Sequence, residues 1–152
     1  MENKNIYQGC SPVRRIWLKI PRTRWGKRTF FMKLENRDRV LDVGCGNNSP
    51  VMTKFFAPGI YYVGVDVGDY NNTSESLRVA DEYHVFAPEY FADGINNLDG
   101  EFDAVISSHN IEHNNFPFKT LKAMCHKRHI TAGCICLFQM TGVLISQAEK
   151  GH

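Results

Sequence analysis

A compact β-branched run, Arg39–Val43 (RVLDV), ends in Gly44-Cys45-Gly46, and the next such run, Tyr61–Val65 (YYVGV), ends at Asp66, twenty-two residues after Gly44. No other feature constrains the fold of this 152-residue chain as strongly. A strand closed by a glycine turn, then a helical stretch, then a second β-branched run reads as a parallel βαβ unit, since a parallel crossover needs a helix laid across the sheet. The pattern repeats: Glu82–Phe86 is a weak third run, Phe102–Ser107 (FDAVIS) a strong fourth and Gly133–Phe138 (GCICLF) a fifth. Ser49–Phe56, Glu75–Val79, Pro88–Leu98 and Phe116–His129 are the intervening helical stretches. Pro88 suits a first helical turn, while Gly94 weakens its helix interior. In the last helix the spacing of Phe118, Leu121, Met124 and Cys125 predicts one apolar stripe. The expected fold class is α/β, with a parallel sheet carrying helices on both faces.

With 43% hydrophobic and 22% charged residues, enough apolar surface is present to offset the entropy of ordering, which excludes a collagenous or disordered chain. No apolar stretch approaches the ~18–20 residues of a membrane span, and the opening MENKNIYQGC lacks the apolar core of a secretory signal. Five cysteines, an odd number without CxxC spacing, do not form a disulfide or zinc framework, so reduced buried thiols in a cytoplasmic protein, with no metal site, are expected. Charge is uneven. Residues 1–39 hold eleven Lys/Arg against Glu2, Glu35 and Asp38, a net +8, whereas the rest of the chain carries −6. Within Arg14–Leu34, basic residues alternate with Trp17, Trp25, Phe30 and Phe31, and Pro21 and Gly26 interrupt any continuous helix. Such an arm suits phosphates, of nucleic acid or of an anionic membrane surface touched through residues 14–34; a solvated charged face with its aromatics packed on the domain is the alternative. The expected organisation is a basic aromatic extension over 1–38, a folded domain over 39–139 and a short tail over 140–152.

In an open α/β sheet, ligands bind beyond the carboxyl ends of the strands. Three segments reach that edge with suitable chemistry. Asp42-Val43-Gly44-Cys45-Gly46-Asn47-Asn48-Ser49 combines a tight turn that admits close backbone approach with Ser49 as a candidate helix cap. Asp66 presents a carboxylate able to accept both hydroxyls of a ribose, but Ser49 stands where a dinucleotide fingerprint requires Gly or Ala, which disfavours a pyrophosphate ligand. The third is Ser107-Ser108-His109-Asn110-Ile111-Glu112-His113, after the fourth strand.

These motifs, Asp42-Val43-Gly44-Cys45-Gly46, Val63-Gly64-Val65-Asp66 and Glu101 through His113 followed by Thr131-Ala132-Gly133, resemble in order and spacing those of the class I S-adenosylmethionine-dependent methyltransferases of small-molecule type, over about residues 39–139. The resemblance implies a Rossmann-like sheet of about five parallel strands and S-adenosylmethionine as cofactor. It places the Gly44–Gly46 backbone, with Cys45 between, against the methionine part, Asp42 near the ammonium group and Asp66 on the ribose hydroxyls. Val67, Phe86, Ala87 and Pro88 would form the adenine pocket. Ser108, His109 and Asn110 would line the opening where the methyl meets its acceptor, with His109 or His113 as base for a hydroxyl acceptor. Bracing of the following helix by Glu112 and His113, and of the glycine turn by Asp42, are the structural alternatives.

The sequence departs from the family at Asn48, where a third glycine is common, and after Gln139, where only Met140–His152 remain for the usual helix and antiparallel hairpin. The expectation is a C-terminally truncated domain lacking that hairpin, its fifth strand exposed and able to pair in a homodimer. Methyl transfer to a small-molecule, sugar or lipid-linked acceptor, impaired by the missing strands, is the expected function. Nucleic acid is less favoured, because Ser107-Ser108-His109-Asn110 is not the Asn/Asp-Pro-Pro-aromatic sequence of amino-methylating enzymes and no Pro-Cys pair occurs. Two alternatives are a non-catalytic nucleotide- or cofactor-binding module and a zinc hydrolase, for which His109-Asn110-Ile111-Glu112-His113 matches HxxEH.

Overall fold

The computed structural model describes residues 30–31, 33–108 and 110–129, together with the backbone of two further strands over 134–139 and 142–146. Most of residues 1–38, all of the arm before Phe30, and His109 lie outside the described residues. In chain order the elements are β1 (Arg39–Val43), α1 (Ser49–Phe56), β2 (Tyr61–Asp66), α2 (Ser74–Val79), β3 (Glu82–Val85), a 3-10 turn (Pro88–Tyr90), α3 (Phe91–Asn96), β4 (Ala104–Ser108), a second 3-10 turn (Ile111–His113), α4 (Pro117–Lys127), β5 (Cys134–Gln139) and β6 (Gly142–Ser146). One six-stranded sheet has the order β3-β2-β1-β4-β5-β6. Strands β1 to β5 run parallel, as the five β-branched runs predict.

Past Gln139 the expectation of a short tail is corrected. Gly142–Ser146 pairs antiparallel with β5, from Ile135 opposite Ser146 to Gln139 opposite Gly142. The outer edge of β5 is therefore occupied within the chain, and the basis for a dimer through that edge falls away. Among the described residues a single antiparallel strand, rather than a pair, closes this side of the sheet.

Period-2 alternation along the strands divides the core into two layers. Leu41, Val43, Val63, Val65 and Val105 face Phe91, Ala92 and Ile95 of α3 and Ala123 and Met124 of α4. Val40, Tyr62, Ala104 and Ile106 face the other side, with Ala57, Ile60, Ala80 and Phe31. Phe31 is 1% exposed, so the packed unit reaches back before residue 39. At such positions burial contributes roughly 1.5–3 kcal/mol per large side chain.

Of the stripe predicted for helix α4, Met124 packs in the core, but the buried face is rotated away from Phe118 and Cys125. Thr120, Ala123 and Met124 are buried, whereas Phe118 is 87% exposed and Cys125 is exposed. The small Thr120 and Ala123 let the helix lie close to the sheet and α3, and Lys127 Nζ donates to the Leu98 carbonyl, fixing its rotation. Helix Pro88–Leu98 is shorter than expected, split at Tyr90 (φ −108°, ψ 8°) into a 3-10 turn and α3. Gly94 serves packing there: a Cβ would lie 2.5 Å from the Phe86 ring.

A buried cation ties the first βα unit together. Lys54 on α1 is 7% exposed, and its Nζ donates to Asp81 Oδ2 and to the Ile60 carbonyl, both at 2.5 Å. Asp81 Oδ2 also accepts from the Tyr62 backbone at 2.8 Å. Removing one partner of a fully buried pair costs about 3–5 kcal/mol. Since Asp81 retains some solvent contact, Lys54→Ala is expected to cost about 2–3 kcal/mol in chemical denaturation; a loss under 0.5 kcal/mol would show that the pair is replaced by water at no cost.

Candidate functional site

The turn after β1 is built by hydrogen bonds that pull it over the end of β2. Gly44, at φ +78°, and Cys45 donate their backbone N–H groups to the Val65 carbonyl at 2.8 and 3.4 Å. Gly46 N–H donates to Asp66 Oδ2 at 2.9 Å, and Val67 N–H to Asp66 Oδ1 at 2.7 Å. Asn47 and Asn48 follow in left-handed geometry, φ 55° and 60°, which asparagine tolerates better than most residues. Asn48 thus accommodates the position where a third glycine is common. It is also the N-cap of α1, without a side-chain cap bond; Ser49, expected as the cap, is the first helical residue, and its hydroxyl donates to Asp42 Oδ2 at 2.6 Å. The β2–α2 loop is stitched to the same turn: Asn47 N–H donates to the Tyr70 carbonyl at 2.7 Å, and Asn48 N–H to Asn72 Oδ1 at 2.9 Å.

A cavity of about 690 Å³ opens at the carboxyl ends of β1, β2 and β4. It lies beside the β1/β4 boundary, where successive crossovers turn to opposite faces of the sheet and leave a crevice. Of the residues predicted from sequence, Gly44, Gly46, Asp66, Val67, Ser108, Asn110 and His113 line it, as does Pro88. His109 lies outside the described residues. Asp42 and Cys45 do not line the cavity. Asp42 is 1% exposed on the α1-facing side of β1, and its Oδ2 accepts from the Ser49 and Tyr62 hydroxyls, the latter at 2.7 Å. Its carboxylate braces α1 against β2 from behind the turn. Cys45 turns its thiol into the core, where a Cβ on Gly64 would come within 2.8 Å of the sulfur.

Phe86 and Ala87 are likewise separated from the cavity. They line a second one of about 520 Å³ between β3 and α3, with the Phe86 and His84 rings stacked at 5.8 Å. Strand β3 ends at Val85, one residue earlier than expected; the Phe86 N–H still donates to the Asp66 carbonyl at 3.0 Å, while its ring packs against Gly94 of α3. Asn47 and Ser49 of the glycine-turn segment line the main cavity too, and Met52, Tyr70, Asn71, Asn114 and Asn115, which lie outside the predicted motifs, complete it. The Asn71 amide donates to Asn47 Oδ1 at 2.9 Å across its rim. A run of polar loop residues carries no periodicity, so only the excess of asparagine could have marked them.

Burial pushes the Asp66 carboxyl above its ordinary value, against the N–H groups of Val67 and Gly46 that favour the charged form. A carboxylate offers about four lone-pair positions. The N–H groups of Gly46 and Val67 donate to it directly, and that of Gly68 also favours its charged form; the lone-pair positions left over are available to ligand hydroxyls. Burial raises the Cys45 thiol far above its usual range, with Asp42 and Asp66 adding to the shift, so this cysteine is an inert core group. His113 stands in the second 3-10 turn, its N–H donating to the Asn110 carbonyl at 2.9 Å. That single turn is not the α-helix on which an HxxEH zinc site is built, and among the described residues no group of three His, Cys, Asp or Glu is placed to hold a metal.

A family profile described as a methyltransferase domain matches residues 17–149. The chain belongs to the methyltransferase-domain family. Solved structures support the fold. A methyltransferase from Thiobacillus denitrificans, described as S-adenosylmethionine-dependent and in complex with S-adenosyl-L-homocysteine, is 19% identical over 71% of this chain and 44% of its own, with a TM-score of 0.50. Precorrin-6y C5,15-methyltransferase of Geobacter metallireducens is 12% identical over 72% and 57%, with a TM-score of 0.54. The protein YjhP of E. coli is 14% identical over 78% and 51%, with a TM-score of 0.53. This methyltransferase domain therefore spans about half the length of those proteins. No curated protein matches it by sequence. No helix among its described residues is long and apolar enough to cross a membrane.

Proposed function

We propose that this domain binds S-adenosylmethionine in the cavity at the strand ends and transfers its methyl group to a small-molecule, sugar or lipid-linked acceptor. The observation that carries the reading is the convergence of Asp66, the Gly44–Gly46 turn and Asn110 on one 690 Å³ cavity. Its size falls within the ~300–1,000 Å³ of small-ligand sites. The residues present fit the cofactor: a carboxylate with free lone pairs for ribose hydroxyls, a turn without side chains for close approach, and Val67 and Pro88 as apolar wall. The cofactor, when bound, supplies an electrophilic methyl group.

The chain's own task is to orient and to keep water out. Gly46 is placed so that a Cβ would lie 2.9 Å from Tyr70 Cβ, which leaves the backbone itself as the cavity floor beside Asp66. His113 is the described side chain on the cavity wall suited to take a proton from a hydroxyl acceptor, and His109 remains the second candidate base. The basic arm over 14–34 supports a role near an anionic surface, and the reduced thiols expected from the cysteine spacing support a cytoplasmic setting. The acceptor class is tested by incubating the protein with methyl-labelled S-adenosylmethionine and separate pools of small metabolites, lipid extract and RNA or DNA. Label is expected in the first or second pool; label confined to nucleic acid contradicts the acceptor class.

A further inference from the structure

A chain of side-chain hydrogen bonds runs from the core of α4 to the glycine turn. The Thr120 hydroxyl, 1% exposed, donates to Asn114 Oδ1 at 3.2 Å. Asn114 Nδ2 then donates to Asn110 Oδ1 at 2.7 Å. An amide has one accepting and one donating end, so its partners decide which way round it sits. With Thr120 donating to its oxygen, Asn114 offers its nitrogen to Asn110, and Asn110 turns its own oxygen towards Asn114. That leaves Asn110 Nδ2 on the far side of the amide, against Gly44, where a Cβ on the glycine would overlap the Asn110 side chain. Gly44 and Asn110 both line the cavity.

We infer that Thr120 and Asn114 are positioning residues that fix Asn110 with its N–H donors presented over the Gly44 turn, there to bind an acceptor oxygen of the ligand, the carboxylate of an amino-acid moiety. This rests on the proposed S-adenosylmethionine site and adds to it how one side of that site is set. Neither Thr120 nor Asn114 need touch the reacting atoms. Thr120 is buried in the helix face packed on the sheet, so its influence reaches the ligand only through the two asparagines.

The test compares two probes by calorimetry: S-adenosylhomocysteine, which carries the amino-acid carboxylate, and 5′-methylthioadenosine, which lacks it. Thr120→Val removes the hydroxyl with little change of shape and is expected to weaken S-adenosylhomocysteine about three- to tenfold, the effect of one hydrogen bond. It should leave 5′-methylthioadenosine unchanged, and Thr120→Ser should restore the loss. Asn114→Ala should reproduce the selective loss, which keeps the test open if Thr120→Val does not fold. Equal weakening of both probes, or no weakening of either, overturns the relay. A folded wild type that binds neither probe overturns the underlying site as well, and needs no variant to be seen.

Discussion

Asp66→Ala is expected to lower affinity for S-adenosylmethionine by about two to four orders of magnitude, because two hydrogen bonds to a charged group are lost at about 1.5–3 kcal/mol each. The same carboxylate also accepts from Gly46 and Val67, so the variant loosens the turn that forms the cavity floor. Calorimetric titration of wild type and variant measures the effect, and a change of less than fivefold would place the ribose elsewhere. A pH dependence accompanies it. Burial raises this carboxyl above the ordinary 3.8, and the ionised form is the better acceptor, so affinity should fall on acidification with a midpoint above that value. For stability the sign is opposite. A carboxyl raised in the folded state contributes stability that is present below its unfolded pKa and lost as pH rises through the folded one. Acidification to about pH 4 should therefore weaken binding while this group favours the fold.

The second large effect is expected at Gly44. Its φ of +78° is strained for any β-branched residue, and the space a Cβ would occupy holds the Asn110 side chain. Backbone strain of this kind costs about 1–3 kcal/mol, and displacing Asn110 adds to it, so Gly44→Val should destabilise the fold by about 3–4 kcal/mol in chemical denaturation and abolish cofactor binding. Gly100 provides the control. It has φ +76°, but its Cβ would meet only the end of the Arg39 side chain, which can move. Gly100→Ala should cost about 1 kcal/mol and leave binding intact. Equal losses of binding in both variants would mean that general destabilisation, rather than the turn, is being measured.

The strands were legible because β-branched runs bounded by turns have few alternatives, and β1 and α1 match the sequence reading residue for residue. Asp66 was legible for the same reason, as the residue on which a buried strand ends. Strand β6 was not. Met140-Thr141 is no turn signal of the Asn-Gly type, so the β-branched run from Gly142 had no visible hairpin to join, although pairing with β5 supplies one. The start of α2 was hidden similarly: Thr73 and Ser76 form a capping box with serine in place of the usual Glu or Gln. In α4 the larger apolar residues drew the stripe towards Phe118, while the packed face is set by small ones, Thr120 and Ala123. Place in the motif alone puts Asp42 and Cys45 at the ligand, with bracing of the turn as the alternative for Asp42. The alternation of β1 puts Asp42 behind α1, and the turn folds the Cys45 thiol inward.

Titration of S-adenosylmethionine into the purified wild-type protein is the most direct test of the account. The geometry at Asp66 and Gly44–Gly46 predicts saturable, one-to-one binding in the micromolar range, accompanied by a rise in melting temperature. A cooperatively folded protein that shows neither heat of binding nor a thermal shift at millimolar cofactor would contradict it.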